Sequence, residues 1–293
     1  MTVDAPLQRW LASGRRFEHQ GRTVFYRDEG RGPVLLCLHG YPTSSWDWHR
    51  IWPLLTDRYR LVAADMLGFG FSDKPRDHDY SIAGQATLHE QLLASLGIDE
   101  IHVLAHDYGD TVAQELMARH QERRQSGTPG LRLRTVCLLN GGLFPETHRA
   151  RTIQKLLRSP LAPLLLRLFN ERGFRRNMKV IFGAGTQPDD TELARFWTLV
   201  NHNGGRANMG RLLHYIGERR HYRERWVGAL VHASLPLRLI AGMDDPVSGA
   251  HMVQRYRELV PRADVIPLPG IGHYPQWEAA ARVAESVAAL TRQ

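Results

Sequence analysis

Six short, predominantly apolar runs recur along the chain, most of them followed by a segment with helical spacing. They are Val34–Leu38, Tyr59–Ala64, Ile101–Ala105, Thr135–Leu139, Leu235–Ala241 and Ala263–Leu268. Runs without polar alternation are buried on both faces, which is the signature of strands in a parallel sheet covered by helices. Helical spacing marks Ser81–Leu96, closing on Gly97, and also Tyr108–Arg124, Met252–Leu259 and Pro275–Leu290. A hairpin is expected over Phe17–Arg27, with its turn at Gln20-Gly21. The alternation predicts an α/β fold with a mostly parallel, doubly wound sheet.

The rhythm breaks at Gly141-Gly142. From Leu143 to about Arg225 the chain reads as helical, with no clear buried strand, before strands resume. An insertion between two parallel strands lies over the carboxyl edge of the sheet, where open α/β sheets bind ligands. The expected organisation is a core at 1–142, a helical lid at 143–225, and the rest of the core at 226–293.

The length of 293 residues suits one large domain with an insertion. The net charge is +8, carried almost wholly by arginine, since lysine occurs only at 74, 155 and 179. The basic stretch Arg149–Arg225 carries no aromatic-interleaved basic motif and reads as the solvated surface of helices, not a nucleic-acid site. Cys37 and Cys137 each sit inside an apolar run and read as buried thiols. No apolar signal core or run near 20 residues long is present; Leu161–Phe169 is interrupted by Arg167. The expectation is a cytoplasmic protein without a membrane span, metal or cofactor; oligomeric state stays open.

Three residues stand just past the ends of predicted strands, in an order that suggests catalysis. Asp107 follows Ile101–Ala105 at a strand-to-helix turn, in His106-Asp107-Tyr108-Gly109. Asp245 follows Leu235–Ala241 in Gly242-Met243-Asp244-Asp245-Pro246, and His273 follows Ala263–Leu268 in Gly270-Ile271-Gly272-His273. Taken singly, these are a helix N-cap, a turn and a glycine loop. Together they reproduce the order nucleophile, acid, histidine, with aspartate where serine is usual. His39-Gly40-Tyr41-Pro42 is expected to supply the Tyr41 N–H to an oxyanion hole shared with the Tyr108 N–H. The His39 side chain is expected to tie down its loop. Asp65–Ser72 is expected to be scaffold.

Aspartate, with a reference pKa near ~3.9, needs no deprotonation before it attacks. It can displace a leaving group from saturated carbon, giving an ester that a histidine-activated water then hydrolyses. The substrate is then a small apolar epoxide or alkyl halide.

HGYP, DMLGFGFSDKP, HDYG and GIGHYPQWE resemble the epoxide hydrolase and haloalkane dehalogenase group of α/β-hydrolases, from about Val24 to Leu290. The resemblance implies the α/β-hydrolase fold and an Asp107–His273–Asp245 triad, with Asp245 preferred over Asp244 by its spacing from the glycine. Dehalogenases of this kind place Trp after the nucleophile and Asn after His-Gly; here Tyr108 and Tyr41 stand there. Trp46, Trp48 and Trp52 lie nearby and read as core. Epoxide hydrolases use two lid tyrosines as acids. Tyr215 fits the second by spacing, no tyrosine between 143 and 214 supplies the first, and Tyr222 is the substitute considered. Asp110, where small residues are usual, suggests a charge close to Asp107. Epoxide hydrolysis is the first expectation and dehalogenation the second. A hydrolase-fold binding protein without turnover is the rival from another class. A serine esterase is disfavoured by the absence of serine at the turn.

Overall fold

The computed structural model describes residues 4–147, 166 and 169–292. Eight strands form one sheet: β1 (Arg15–His19), β2 (Arg22–Gly30), β3 (Val34–Leu38), β4 (Arg60–Ala64), β5 (Glu100–His106), β6 (Arg132–Leu139), β7 (Leu237–Gly242) and β8 (Asp264–Leu268). Their order is β1-β2-β4-β3-β5-β6-β7-β8. β2 runs antiparallel to both neighbours, and every other pairing is parallel. The apolar runs are indeed strands, and all but the last lie inside the sheet: Leu35–Leu38, Leu61–Ala64 and Val103–Ala105 are buried, whereas β8 forms an edge. This is the expected α/β-hydrolase architecture.

The strand order reverses between β3 and β5, because the chain leaves β3 for β4 on one side and returns to β5 on the other. That reversal opens a crevice at the carboxyl edge. The loops after β3 and β5 carry Tyr41 and Asp107 into it.

Helices form where the spacing predicts, with shifted ends. Ile82–Ser95 starts behind Ser81, whose hydroxyl accepts the Gly84 N–H at 3.2 Å. Tyr108–Ser126 runs two residues past the expected end and stops at Gly127, in the left-handed conformation. The expected final helix is two helices, Pro275–Glu278 and Ala280–Leu290, broken at Ala279. Strand β7 begins at Leu237, two residues late, because Pro236 has no N–H to give the ladder. An N-terminal helix, Ala5–Ala12, was not anticipated; Asp4 caps it by accepting the Leu7 N–H at 3.2 Å.

Between β6 and β7 the described residues form helices Glu171–Lys179, Asp190–Asn201, Met209–Leu212, Tyr215–His221 and Arg223–Val231. Part of the expected insertion, 148–165 with 167 and 168, lies outside the described residues. The expected boundary at 225 falls inside the last of these helices. This excursion is fastened to the core by polar contacts. Trp46 Nε1 donates to Glu192 at 2.6 Å, Arg195 Nε to Asp4 at 2.7 Å, and the Ile82 N–H to Glu218 at 3.2 Å. No described helix is long and apolar enough to cross a membrane.

Candidate active site

Asp107 occupies the turn from β5 into helix Tyr108–Ser126 with φ 48° and ψ −103°. A non-glycine residue in so sparse a region costs ~1–3 kcal/mol and is held there by its surroundings. Gly109 permits the tight turn: a Cβ there would lie 2.2 Å from the Leu38 carbonyl oxygen of β3. The Asp107 side chain makes no cap hydrogen bond to its helix. Instead Oδ2 accepts the Tyr41 N–H at 3.1 Å. Tyr108 is the first residue of the helix, so its N–H has no acceptor within it. Asp107 is 6% exposed.

His273 and Asp245 meet at the same edge. The His273 Nδ1–H donates to Asp245 Oδ2 at 2.7 Å. Burial opposes a charged imidazole, but the Asp245 charge and hydrogen bond, with Asp107 adding, outweigh it and raise the His273 pKa to about 9. Asp245 Oδ2 also accepts Asn140 Nδ2 at 3.0 Å, the Ser248 N–H at 3.0 Å and the Ser248 hydroxyl at 2.8 Å. Burial alone would raise the Asp245 pKa; the His273 charge and these donors lower it below the ordinary value. Asp244 is turned away, accepting the Gly270 N–H at 3.2 Å.

The remaining expected residues divide. His39 ties its loop down: Nδ1–H donates to the Gly40 carbonyl at 2.9 Å, and Nε2 accepts the Met66 N–H at 3.0 Å. Both bonds suit a neutral ring, and burial lowers its pKa to about 4. Asp65 is scaffold, accepting the Ser45 N–H at 2.7 Å and the Phe71 N–H at 2.6 Å. Tyr215 is buried, its ring 4.8 Å from Tyr108 and 6.5 Å from Tyr41. Tyr222 is not brought to the site. It is 41% exposed and packs on Trp226 at 5.2 Å, because it sits at the junction of two surface helices. Two of the three tryptophans have committed their N–H groups, Trp46 to Glu192 at 2.6 Å and Trp52 to Glu29 at 2.8 Å. Trp48 Nε1 is buried without a partner among the described residues.

Asp110 is fully buried. Burial first, then the Asp107 charge, raise its pKa well above the ordinary value, against the pull of the Leu139 N–H. Its Oδ1 accepts the Leu139 N–H at 3.4 Å, and its carboxyl fills the space a side chain at Gly141 would need, 2.1 Å from Oδ2.

Sequence reasoning missed several contributors. His106 donates its Nε2–H to the His273 carbonyl at 2.7 Å. Glu278 holds the histidine loop by accepting the Gly272 and Tyr274 N–H groups, each at 2.9 Å. The excursion reaches the same loop, where the His273 N–H donates to the Ile181 carbonyl at 2.7 Å. Arg219, one helical turn after Tyr215, lies beside Asp107. Its Nη2 donates to the Asp107 carbonyl at 3.1 Å and stands 4.0 Å from Asp107 Oδ1. The i, i+4 spacing from Tyr215 was the available signal for it. Among the described residues, no group of three His, Cys, Asp or Glu side chains could hold a metal ion. Cys37 and Cys137 are free and buried.

Comparison with known proteins bears on the family and the fold. A family model described as the alpha/beta hydrolase fold matches residues 33–128. The chain is 45% identical to the mesoderm-specific transcript protein of Mus musculus, over 93% of this chain and 84% of that one. It is 40% identical to a protein named as hydrolase LipZ in Mycobacterium tuberculosis, over 97% of both. Among solved structures, an epoxide hydrolase named CorEH superposes with a TM-score of 0.77 at 18% identity, covering 94% of this chain and 97% of that one. With its β5 elbow, its β7 and β8 loops and relatives alike over nearly the whole length, the chain belongs to the α/β-hydrolase family.

Proposed function

We propose that the protein hydrolyses epoxides to diols through a covalent ester on Asp107. The observation that carries the reading is the aspartate on a strained elbow, its carboxylate already touching the Tyr41 N–H, with the His273–Asp245 pair at the same sheet edge. In the first half-reaction an Asp107 oxygen forms a bond to an epoxide carbon. The C–O bond breaks, its electron pair goes to the ring oxygen, and the Tyr215 hydroxyl supplies the proton. In the second, His273 takes a proton from water and the resulting hydroxide attacks the Asp107 carbonyl carbon. The Tyr41 and Tyr108 N–H groups receive the oxyanion. Collapse releases the diol; the two protons of water end on the second diol oxygen and on Tyr215.

The excursion between β6 and β7 acts as the lid, since Tyr215 and the anchor of the His273 loop both come from it. Dehalogenation is the weaker alternative. The residues at 41 and 108 are tyrosines, and Trp46 and Trp52 have spent their N–H groups elsewhere.

A single turnover in ¹⁸O-water on a panel of epoxides and haloalkanes tests the mechanism. Label enters the Asp107 carboxylate and reaches diol only on later turnovers; an active substrate that leaves Asp107 unlabelled refutes the covalent route. Asp107→Ala abolishes turnover. His273→Gln lets the ester accumulate, visible as a mass increase on the peptide holding Asp107. Tyr215→Phe slows ring opening by about 10²–10⁴-fold, the usual worth of a general acid.

A further inference from the structure

The Tyr41 side chain ends in a buried hydroxyl with nothing to bond. Tyr41 is 9% exposed, and its Oη has no hydrogen-bond partner among the described residues. Its backbone N–H reaches Asp107 Oδ2 at 3.1 Å, so the residue starts at the nucleophile. Its ring lies 6.5 Å from both Phe69 and Tyr215. Other tyrosine hydroxyls near the elbow are committed. Tyr108 donates to the Tyr80 carbonyl at 3.4 Å, and Tyr274 shares a hydrogen bond with Thr43 at 3.5 Å. A buried O–H left unpaired forfeits the bonds it made in water, and native proteins keep few of them. One that persists beside a nucleophile is set for an acceptor that arrives with a ligand.

We propose that the Tyr41 hydroxyl is a second donor to the epoxide oxygen, paired with Tyr215 and supplied by the core loop after β3. The inference deepens the reading of Asp107 as nucleophile and Tyr215 as acid, and its reaction step rests on that reading. As an Asp107 oxygen bonds to carbon, the electron pair of the breaking C–O bond moves onto the ring oxygen, which then has lone pairs for two donors. The two tyrosines are not equivalent. Tyr215 packs on the Arg219 guanidinium at 4.5 Å, and a cation there stabilises the phenolate that proton transfer leaves. Arg219 faces Asp107 Oδ1 at 4.0 Å before the step and the phenolate after it, so its counter-ion changes place while the net charge of the site does not. At Tyr41 the balance is the opposite: burial first, then the charges of Tyr215 and Asp107, hold its pKa well above the ordinary value. Tyr41 keeps its proton through ring opening and gives a hydrogen bond only. It serves the two half-reactions with different groups, the hydroxyl holding the epoxide oxygen in the first and the N–H the ester oxyanion in the second.

Tyr41→Phe removes the hydroxyl and keeps the ring and the N–H, so the two roles can be read apart. The experiment follows ester formation on Asp107 by mass, with styrene oxide and hexene oxide, in His273→Gln and in Tyr41→Phe/His273→Gln. Decay of the isolated ester is then followed after the epoxide is removed. Tyr41→Phe slows ester formation by about 10²-fold, the scale for losing one donor to a developing oxyanion, and leaves ester decay unchanged. Equal rates of formation overturn the proposal. Formation and decay slowed alike also overturn it, because they assign the effect to displacement of the loop that carries the N–H. Chemical denaturation gives a second check. Removing an unpaired hydroxyl leaves the midpoint of Tyr41→Phe at or above that of the wild type, whereas a variant that is destabilised or fails to fold shows that the hydroxyl holds the core and overturns its role. Titration calorimetry with hexanamide, whose carbonyl oxygen can accept from both tyrosines, needs no covalent step. Hexanamide binds the wild type several-fold more tightly than Tyr41→Phe; binding no tighter to the wild type overturns the proposal. Hexanamide binding that follows Tyr41, in an enzyme whose Asp107 never gains mass, refutes the covalent mechanism and leaves the pair of donors standing.

Discussion

A histidine whose pKa stands at about 9 is protonated at neutral pH, which is the wrong state for a base. The difficulty resolves within the proposed cycle. Asp107 is one of the charges that raise the His273 pKa, and esterification removes it. Alkylation therefore lowers the His273 pKa and releases the base at the step that needs it. The expected outcome is a rate of ester hydrolysis that rises with pH, with a midpoint below about 9. A pre-steady-state profile that is flat from about pH 6 to 9.5 would remove His273 from the base role. Asp245→Asn, which takes away the larger favourable charge, moves that midpoint further down. The same shift bears on stability with a definite sign. A raised histidine pKa contributes its full stabilisation below the ordinary value near ~6.5 and loses it as pH climbs through about 9.

At the scale of elements, the helix Tyr215–His221 touches both the elbow and helix Ile82–Ser95, and its docking is sensitive to pH. Burial raises the Glu218 pKa to about 7, against the opposing pull of the Ile82 N–H, and the charges of Asp79 and Glu115 add to the rise. An acid whose pKa is raised on docking contributes its stabilisation in the protonated form. That stabilisation is complete below the ordinary value near ~4.5 and lost as pH rises through about 7. Hydrogen exchange over residues 215–221, corrected for intrinsic rates, is expected to quicken between pH 5.5 and 8. Glu218→Gln, which keeps an oxygen for the Ile82 N–H, should flatten that dependence; an unchanged dependence would assign it to another group. The elements themselves were legible where periodicity spoke. The interior parallel strands β3 to β7 were visible as apolar runs, because burial on both faces leaves no alternation to blur the signal. The final helix was not seen to break at Ala279, since both pieces are apolar-periodic. The break exists because Glu278 accepts the Gly272 and Tyr274 amides, a contact between residues that local pattern cannot reveal.

Across the whole molecule, what the sequence conceals is what only folding brings together. Asp107, Asp245 and His273 could be singled out from the sequence because each sits at a strand end in a recognisable loop. Arg219 could not be, because its i, i+4 spacing from Tyr215 is one of many such pairs on the helices and does not say which of them faces inward. Nor does the sequence show that the two sheet edges and the excursion share one apolar nucleus. Trp10 of the N-terminal helix stands at 5.3 Å from both Trp46 and Trp52, and Arg27 stacks on it at 4.0 Å. Trp10 Nε1 donates to Ser45 at 3.3 Å, beside the loop that carries Tyr41. Trp10→Ala is expected to cost about 3–5 kcal/mol in chemical denaturation, the range for loss of a large buried aromatic. A loss below ~1 kcal/mol would show that the N-terminal helix is dispensable to the core.

The contact between the Tyr41 N–H and Asp107 Oδ2 has a consequence for how the protein meets reagents from outside. In an acyl-transfer enzyme the anion pocket waits for an oxygen that the substrate brings. Here one of its donors already holds an oxygen of the enzyme. Fluorophosphonates, which label serine hydrolases by placing a P=O oxygen in that pocket, find neither an alkoxide to attack phosphorus nor a free pocket to occupy. The intact protein should pass through an activity-based fluorophosphonate screen unlabelled, while a reactive epoxide marks Asp107. An inventory of hydrolases drawn up by such probes would overlook it.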